Sequence, residues 1–213
     1  IAIRGNPDPL TRACPCENIH VFDCKLFSAY ATGVRIGVGN GEIRDCLLEN
    51  LDIREAKNGF ALVAKWGNGP NDGTKIHKIT VRNIQMSVKR PFLICLDNQW
   101  ADITNRSGAY FKDVLFENLH GKAAISAMIH GNGKGKICNI TFRGMDLEFL
   151  GRGPAPMTDE NGLWCVDSTD AMFEISNTEN IRFENVVLNG VPNGEFTFDP
   201  LIDDISFMPP TYI

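Results

Sequence analysis

Along most of the chain, apolar and polar residues alternate with a period of two over short stretches, and each stretch ends in Asn, Asp or Gly followed by another apolar residue. Six segments share the pattern aliphatic-x-aliphatic-x-(Asn/Asp/Gly)-apolar: Ile19-His-Val-Phe-Asp23-Cys24, Cys46-Leu-Leu48-Glu-Asn50-Leu51, Ile79-Thr-Val81-Arg-Asn83-Ile84, Val114-Leu-Phe116-Glu-Asn118-Leu119, Ile140-Thr-Phe142-Arg-Gly144-Met145 and Ile181-Arg-Phe183-Glu-Asn185-Val186. They recur at intervals of 26 to 41 residues, so loops vary in length while the unit repeats. The period of two predicts strands with one face inward and one toward solvent. The fifth position holds the residue types that best tolerate a left-handed backbone, so a sharp corner is expected after each strand. Asparagines at equivalent corners can hydrogen-bond to one another up a column.

A second series lies between the first: Ile1-Ala-Ile3, Val34-Arg-Ile36, Phe60-Ala-Leu62, Phe92-Leu-Ile94, Ile125-Ser-Ala-Met128 and Leu163-Trp-Cys165-Val166. Gly33, Gly59, Pro91 and Gly162 introduce four of these, and glycine-rich loops such as 67–73 and 131–135 follow several. A repeat of strand, corner, strand and loop predicts an all-β chain wound as a right-handed parallel β-helix. A β-sandwich would bury the same strands, but it gives no reason for Asn to recur at one offset. No linker divides the chain, so 1–213 reads as one domain, with coils over 1–190 and a C-terminal tail or cap over 191–213. The first residues already read as a core strand, so the chain is expected to be the C-terminal part of a longer helix. An upstream β-helix segment or self-association would then cover that end.

Composition narrows the partners. The 213 residues include 26 acidic and 21 basic side chains for a net charge of −5, so no nucleic-acid or membrane partner is expected, and an anionic ligand needs a local basic cluster. No apolar run approaches the roughly 18 residues of a membrane span. The seven cysteines (Cys14, Cys16, Cys24, Cys46, Cys95, Cys138, Cys165) form no CxxC pair, and Cys24, Cys46, Cys95 and Cys165 stand where core aliphatics would. His20, His77 and His120 have no Cys or His at ligand spacing, so neither a metal nor a cofactor is expected. Asp203-Asp204 lies beyond the last repeat and reads as a loop. The sequons Asn105-Arg-Ser107 and Asn139-Ile-Thr141 are short enough to occur by chance.

Ile1-Ala-Ile-Arg4, Cys16-Glu-Asn-Ile-His-Val-Phe-Asp-Cys24, Gly33-Val-Arg-Ile-Gly37, Ile79-Thr-Val-Arg-Asn-Ile-Gln-Met86 with Pro91-Phe-Leu-Ile94, and Tyr110 to Leu147 resemble consecutive coils of the polygalacturonase-like glycoside hydrolases, glycoside hydrolase family 28, which share the pectin-lyase-like β-helix. The resemblance runs from Ile1 to about Asn189. It implies a carbohydrate-active protein acting on an acidic, pectic-like polysaccharide, with a secreted or periplasmic location. The family hydrolyses glycosidic bonds with inversion, using paired carboxylates. Its Asp-Asp pair and Asn-x-Asp motif would precede residue 1, its Gly-His-Gly matches Ala31-Thr32-Gly33, and its Arg-Ile-Lys matches Ala61-Leu-Val63. Both cations are missing there unless Lys65, two residues on, takes over. The catalytic residues are thus unassigned, with Asp97 and Asp167 as weak candidates.

Binding has better candidates. Arg4, Lys65 with Trp66, Asp97 with Asn98, His130 and Asp167 follow successive strands at comparable offsets and would form a polar column. Trp66 and Trp100 offer ring faces for sugars, and Arg4, Arg35 and Lys65, with Thr32 beside them, could meet a uronate carboxylate. The expected function is polygalacturonase-like action on an acidic polysaccharide. A lyase using Lys65 or Arg35 as base with calcium is a lesser variant, and a noncatalytic polysaccharide-binding or structural β-helix is the alternative.

Overall fold

The computed structural model describes residues 1–5, 14–66, 72–97, 105–150 and 172–189, with the backbone of 191–193 and 196–198. Within a coil, inward positions recur every two residues until a corner intervenes. In strand β5 (Glu42–Lys65) the buried side chains run Ile43, Cys46, Leu48, Leu51, Ile53 and Ala56, with left-handed residues at Asp45, Asn50 and Glu55 between them. Each such residue turns the chain and resets the alternation, so the inward positions on either side of it stand two residues before and one residue after the corner. The next coils repeat the device five residues apart, at Lys78 and Asn83, Asp113 and Asn118, Asn139 and Gly144, and Asn180 and Asn185, all with φ between 50° and 60°.

Stacking follows from this shared geometry. The strands are β1 (Ala2–Ile3), β2 (Cys16–Glu17), β3 (His20–Phe27), β4 (Thr32–Gly37), β5, β6 (Lys75–Asp97), β7 (Tyr110–Ala123), β8 (Ala127–His130), β9 (Lys136–Phe149), β10 (Phe173–Ser176), β11 (Glu179–Glu184), β12 (Val186–Leu188), β13 (Val191–Asn193) and β14 (Phe196–Phe198). All pairings are parallel from β1 to β12, which makes the chain a parallel β-helix. Only β13 and β14 run antiparallel, against β12 and β11 on the last coil. The first series stacks as β3, β5, β6, β7, β9 and β11. The second stacks as β1, β4, the C-terminal halves of β5 and β6, then β8 and β10.

Two boundaries differ from the sequence expectation. The fifth strand of the second series is Ala127–His130 rather than 125–128, with Ile129 rather than Met128 turned inward beside Ile94. Its partner is Phe173–Ser176, in the place expected for 163–166, which lies outside the described residues. Phe173-Glu-Ile175 keeps the aromatic-x-aliphatic spacing of Phe60-Ala-Leu62 and Phe92-Leu-Ile94.

The core is a double file of phenylalanines. Phe116, Phe142 and Phe183 stack with centroids 5.1 and 5.2 Å apart, and Phe60, Phe92 and Phe173 form the facing file. Ala127 intervenes between Phe92 and Phe173 in register, and its small side chain lets those rings approach to 6.2 Å across it. The files meet edge to face, as at Phe92 and Phe142, 5.0 Å apart. A fully buried phenylalanine contributes on the order of 2 kcal/mol through burial, and each ring pair about 1 kcal/mol more.

Polar columns fix the register outside. Asn118 donates to Asn83 (2.8 Å), Asn83 to Asn50 (3.1 Å) and Asn50 to the Asp23 carboxylate (2.9 Å), so the expected corner ladder exists. It stops at Gly144, which has no amide to contribute, and Asn185 lies beyond that gap. A second ladder at the other corner runs from Asn180 through Asn139 to Asp113. Immediately before the first corner, Glu49, Arg82, Glu117, Arg143 and Glu184 share one column of alternating sign. Arg82 bonds Glu49 at 2.6 Å, and Arg143 bonds both Glu117 (3.3 Å) and Glu184 (2.7 Å).

Replacing Asn83 separates the two duties of a corner residue. Asn83→Ala loses two amide bonds and places Ala at φ 57°, and is expected to cost about 1–3 kcal/mol, whereas Asn83→Gly keeps the backbone tolerance and costs less. Urea denaturation of the two variants gives the order, and an equal loss in both would mean that backbone conformation does not matter at the corner.

Candidate functional site

The outward face of the second series carries the candidate site. Register places Ala2, Arg35, Ala61, Leu93, Met128 and Glu174 in one outward column, and Gly37, Val63, Cys95, His130 and Ser176 in the next. At the N-terminal end of this face lies a groove of about 410 Å³. It gathers Thr32, Arg35 and Trp66 of the residues singled out from sequence, and adds Tyr30, Lys57 and Asn58. Tyr30 is 90% and Trp66 45% exposed. Asn58 donates to the Thr32 hydroxyl at 3.1 Å, which orients both groups. Ala61, Val63 and Leu93 lie at its buried floor.

Arg35 is the notable group here. Its Nε is shielded from solvent and has no hydrogen-bond partner. A buried guanidinium N–H without an acceptor costs free energy of about 1–3 kcal/mol. Among the described residues lining the groove there is no carboxylate.

The remaining sequence candidates fall into other surroundings. Lys65 and Asp97 are register neighbours, as the polar-column expectation requires, but they anchor the 105–109 segment. Lys65 is 2% exposed and its ammonium donates to the carbonyl (2.9 Å) and side-chain oxygen (3.0 Å) of Asn105. Asp97 accepts from the Ser107 amide (2.9 Å) and from Asn132 (2.5 Å). Lys65 therefore does not replace the cations missing at Ala61 and Val63. Arg4 is exposed, donates to the Val38 carbonyl at 3.4 Å and lies outside the groove lining. His130 pairs in register with Cys95, in the Val63 column, two positions away from the Lys65–Asp97 column, so the expected line of polar groups divides into two. Trp100, Asn98, Asp167 and Asp203-Asp204 lie outside the described residues.

Sequence reasoning missed a second polar cluster on the same face. Glu174 is 6% exposed and accepts from the Ser126 hydroxyl at 2.7 Å, with His130 Nε2 at 3.9 Å from its other oxygen. Its signal was present in Phe173-Glu-Ile175, whose middle residue must face outward if that segment is the strand. Burial pushes the Cys95 thiol up to about 12, so it stays protonated beside His130 and is no nucleophile at neutral pH. No group of three or more His, Cys, Asp or Glu side chains among the described residues could hold a metal ion. The other three histidines have polar partners away from this face: His20 meets Glu49 at 2.8 Å, His77 meets Glu42 at 2.7 Å and His120 meets Asn118 at 2.7 Å. The sequon Asn139 is likewise engaged in its ladder and Asn105 with Lys65.

Comparison with solved structures finds the same architecture. The chain is similar to the crystal structure of a hyperthermoactive exopolygalacturonase from Thermotoga maritima, with a TM-score of 0.64 and 16% identity, over 87% of this chain and 37% of that one. The fold resemblance to polygalacturonase-like β-helices is therefore present in three dimensions, and the chain spans a little over a third of that protein. No protein-family model and no curated protein matches the sequence.

Burial holds the His130 imidazole below its usual value, with Arg90 adding to the shift and Glu174 opposing it. The unfolded chain protonates this residue near pH 6.5 and the folded chain only at lower pH, so its contribution to stability is complete above about 6.5 and declines as pH falls through that value. Denaturation at pH 7.5 and 5.5 is expected to show a larger loss for the native chain than for His130→Gln, and identical losses would remove His130 from the account.

Proposed function

We propose that the groove beside Arg35 binds an acidic, pectic-like polysaccharide, in a carbohydrate-active β-helix of the polygalacturonase-like kind. The observation that carries the reading is a groove whose described lining residues include two cations, Arg35 and Lys57, two exposed aromatic rings and no carboxylate. A uronate carboxylate pairs with the Arg35 guanidinium, while sugar ring faces stack on Trp66 and Tyr30 and hydroxyls reach Thr32 and Asn58. Thr32, Ala61 and Val63 are the positions that sequence resemblance aligned with the catalytic-site motifs of the hydrolases, and all three line this groove. The chemistry of those motifs is absent, because inverting hydrolysis needs an acid and a base that these positions do not supply. Binding is thus the function the geometry supports best. Hydrolysis is a second reading, favoured by the fold and by the position of the groove.

Titration with polygalacturonate by calorimetry, alongside assays for new reducing ends and for unsaturated product, tests both readings. Saturable binding that weakens with added salt is expected, with neither product formed. Arg35→Ala is expected to weaken binding about 10-fold or more, since a hydrogen bond to a charged group is worth roughly 1.5–3 kcal/mol. Binding unaffected by Arg35→Ala would place the ligand elsewhere, and release of reducing ends would favour the hydrolase.

A further inference from the structure

We infer that the polymer this groove takes has its uronate carboxyls largely masked as esters, an inference that rests on the polysaccharide reading above. The argument begins with the outward column. Coils stack about 4.8 Å apart, and from Arg35 onward the successive outward residues are Ala61, Leu93 and Met128, a single cation followed by three apolar side chains. A sugar chain laid along the stack therefore meets one guanidinium and then no further positive charge in that column. The neighbouring column offers Gly37, Val63 and Cys95 before His130. Burial holds that imidazole toward its neutral form at pH 7.

The groove repeats this composition. Its cations are Arg35 and Lys57, and its apolar lining includes Ile1, Tyr30, Ala61, Val63, Trp66 and Leu93. A fully ionised uronan carries one carboxylate on each sugar. The first could bond Arg35, but those following along the column would lose water against Ala61, Leu93 and Met128, whose side chains offer no donor, an unfavourable transfer. Esterification removes that charge and adds a methyl group, and each methyl buried against such walls gains about fourfold in affinity. The net charge of −5 on the chain works in the same direction, since it repels a dense polyanion more than a sparsely charged polymer. One free carboxylate at Arg35 among esterified neighbours matches the arrangement best.

The test compares one pectin preparation in two forms, highly methyl-esterified and saponified, matched in chain length and titrated into the unmodified chain at fixed ionic strength. Tighter binding of the esterified form, by about fourfold or more, is expected. Val63→Lys, which adds a cation to the apolar floor, is expected to narrow or reverse the preference, with circular dichroism confirming that the variant folds. Trp66→Ala, at a half-exposed position, is expected to weaken binding of the esterified form more than of the saponified one. Equal or tighter binding of the saponified polymer by the unmodified chain overturns this inference and leaves the polysaccharide reading standing. Failure of both polymers to bind overturns the two together.

Discussion

The structure depends on in-register parallel pairing between successive coils. A parallel ladder satisfies the backbone equally well at any register, and a slip of one residue would turn every core side chain outward. Specificity has to come from the side chains. Two amide ladders and the column Glu49–Arg82–Glu117–Arg143–Glu184 supply it, because each places a donor opposite an acceptor, or a cation opposite an anion, only in the native alignment. Surface ion pairs of this kind add little stability singly, so their service is alignment. The phenylalanine files inside require the same register, since Phe116, Phe142 and Phe183 overlap only when their strands are level.

The groove is a by-product of that regularity. A face built from like turns presents straight columns of outward residues, and what those columns hold decides what can bind. Here the columns are mostly aliphatic, with Arg35 at one end and the Ser126–Glu174–His130 cluster toward the other. The polar groups that might have extended a binding line, Lys65 and Asp97, are engaged in holding the loop segment that follows them. Lys65, which anchors the loop edge, and Trp66, which lines the groove, are neighbours in sequence.

Much of the architecture was legible in the residue pattern because the corner imposes it chemically. Asn50, Asn83 and Asn118 must adopt a left-handed conformation and must stack, and few other side chains do both. The alternation of Glu and Arg before those corners was also written in the sequence, but it gains meaning only once the coils are aligned. The second series was harder to read. Its strands share no corner residue type at a common offset, with Val38 after β4 and Asn177 after β10, so neither Phe173–Ser176 nor Glu174 stands out in the sequence. The binding residues were read by counting from strand ends, which places His130 with Lys65 when register places it with Val63 and Cys95. Burial was invisible as well: Lys65 and Trp66 are adjacent, yet one is enclosed and the other half open.

The amide ladders have a direction. Asn118 and Asn180 start the ladders by giving an N–H to the coil before, Asn83, Asn50 and Asn139 each accept from the coil after and donate to the coil before, and Asp23 or Asp113 closes the series with a group that only accepts. A completed coil therefore offers the next one a ready template in the order in which the polypeptide is made. Reversing one amide would set two carbonyls, or two N–H groups, face to face at a corner, so a single flipped side chain registers as a fault at both of its neighbours.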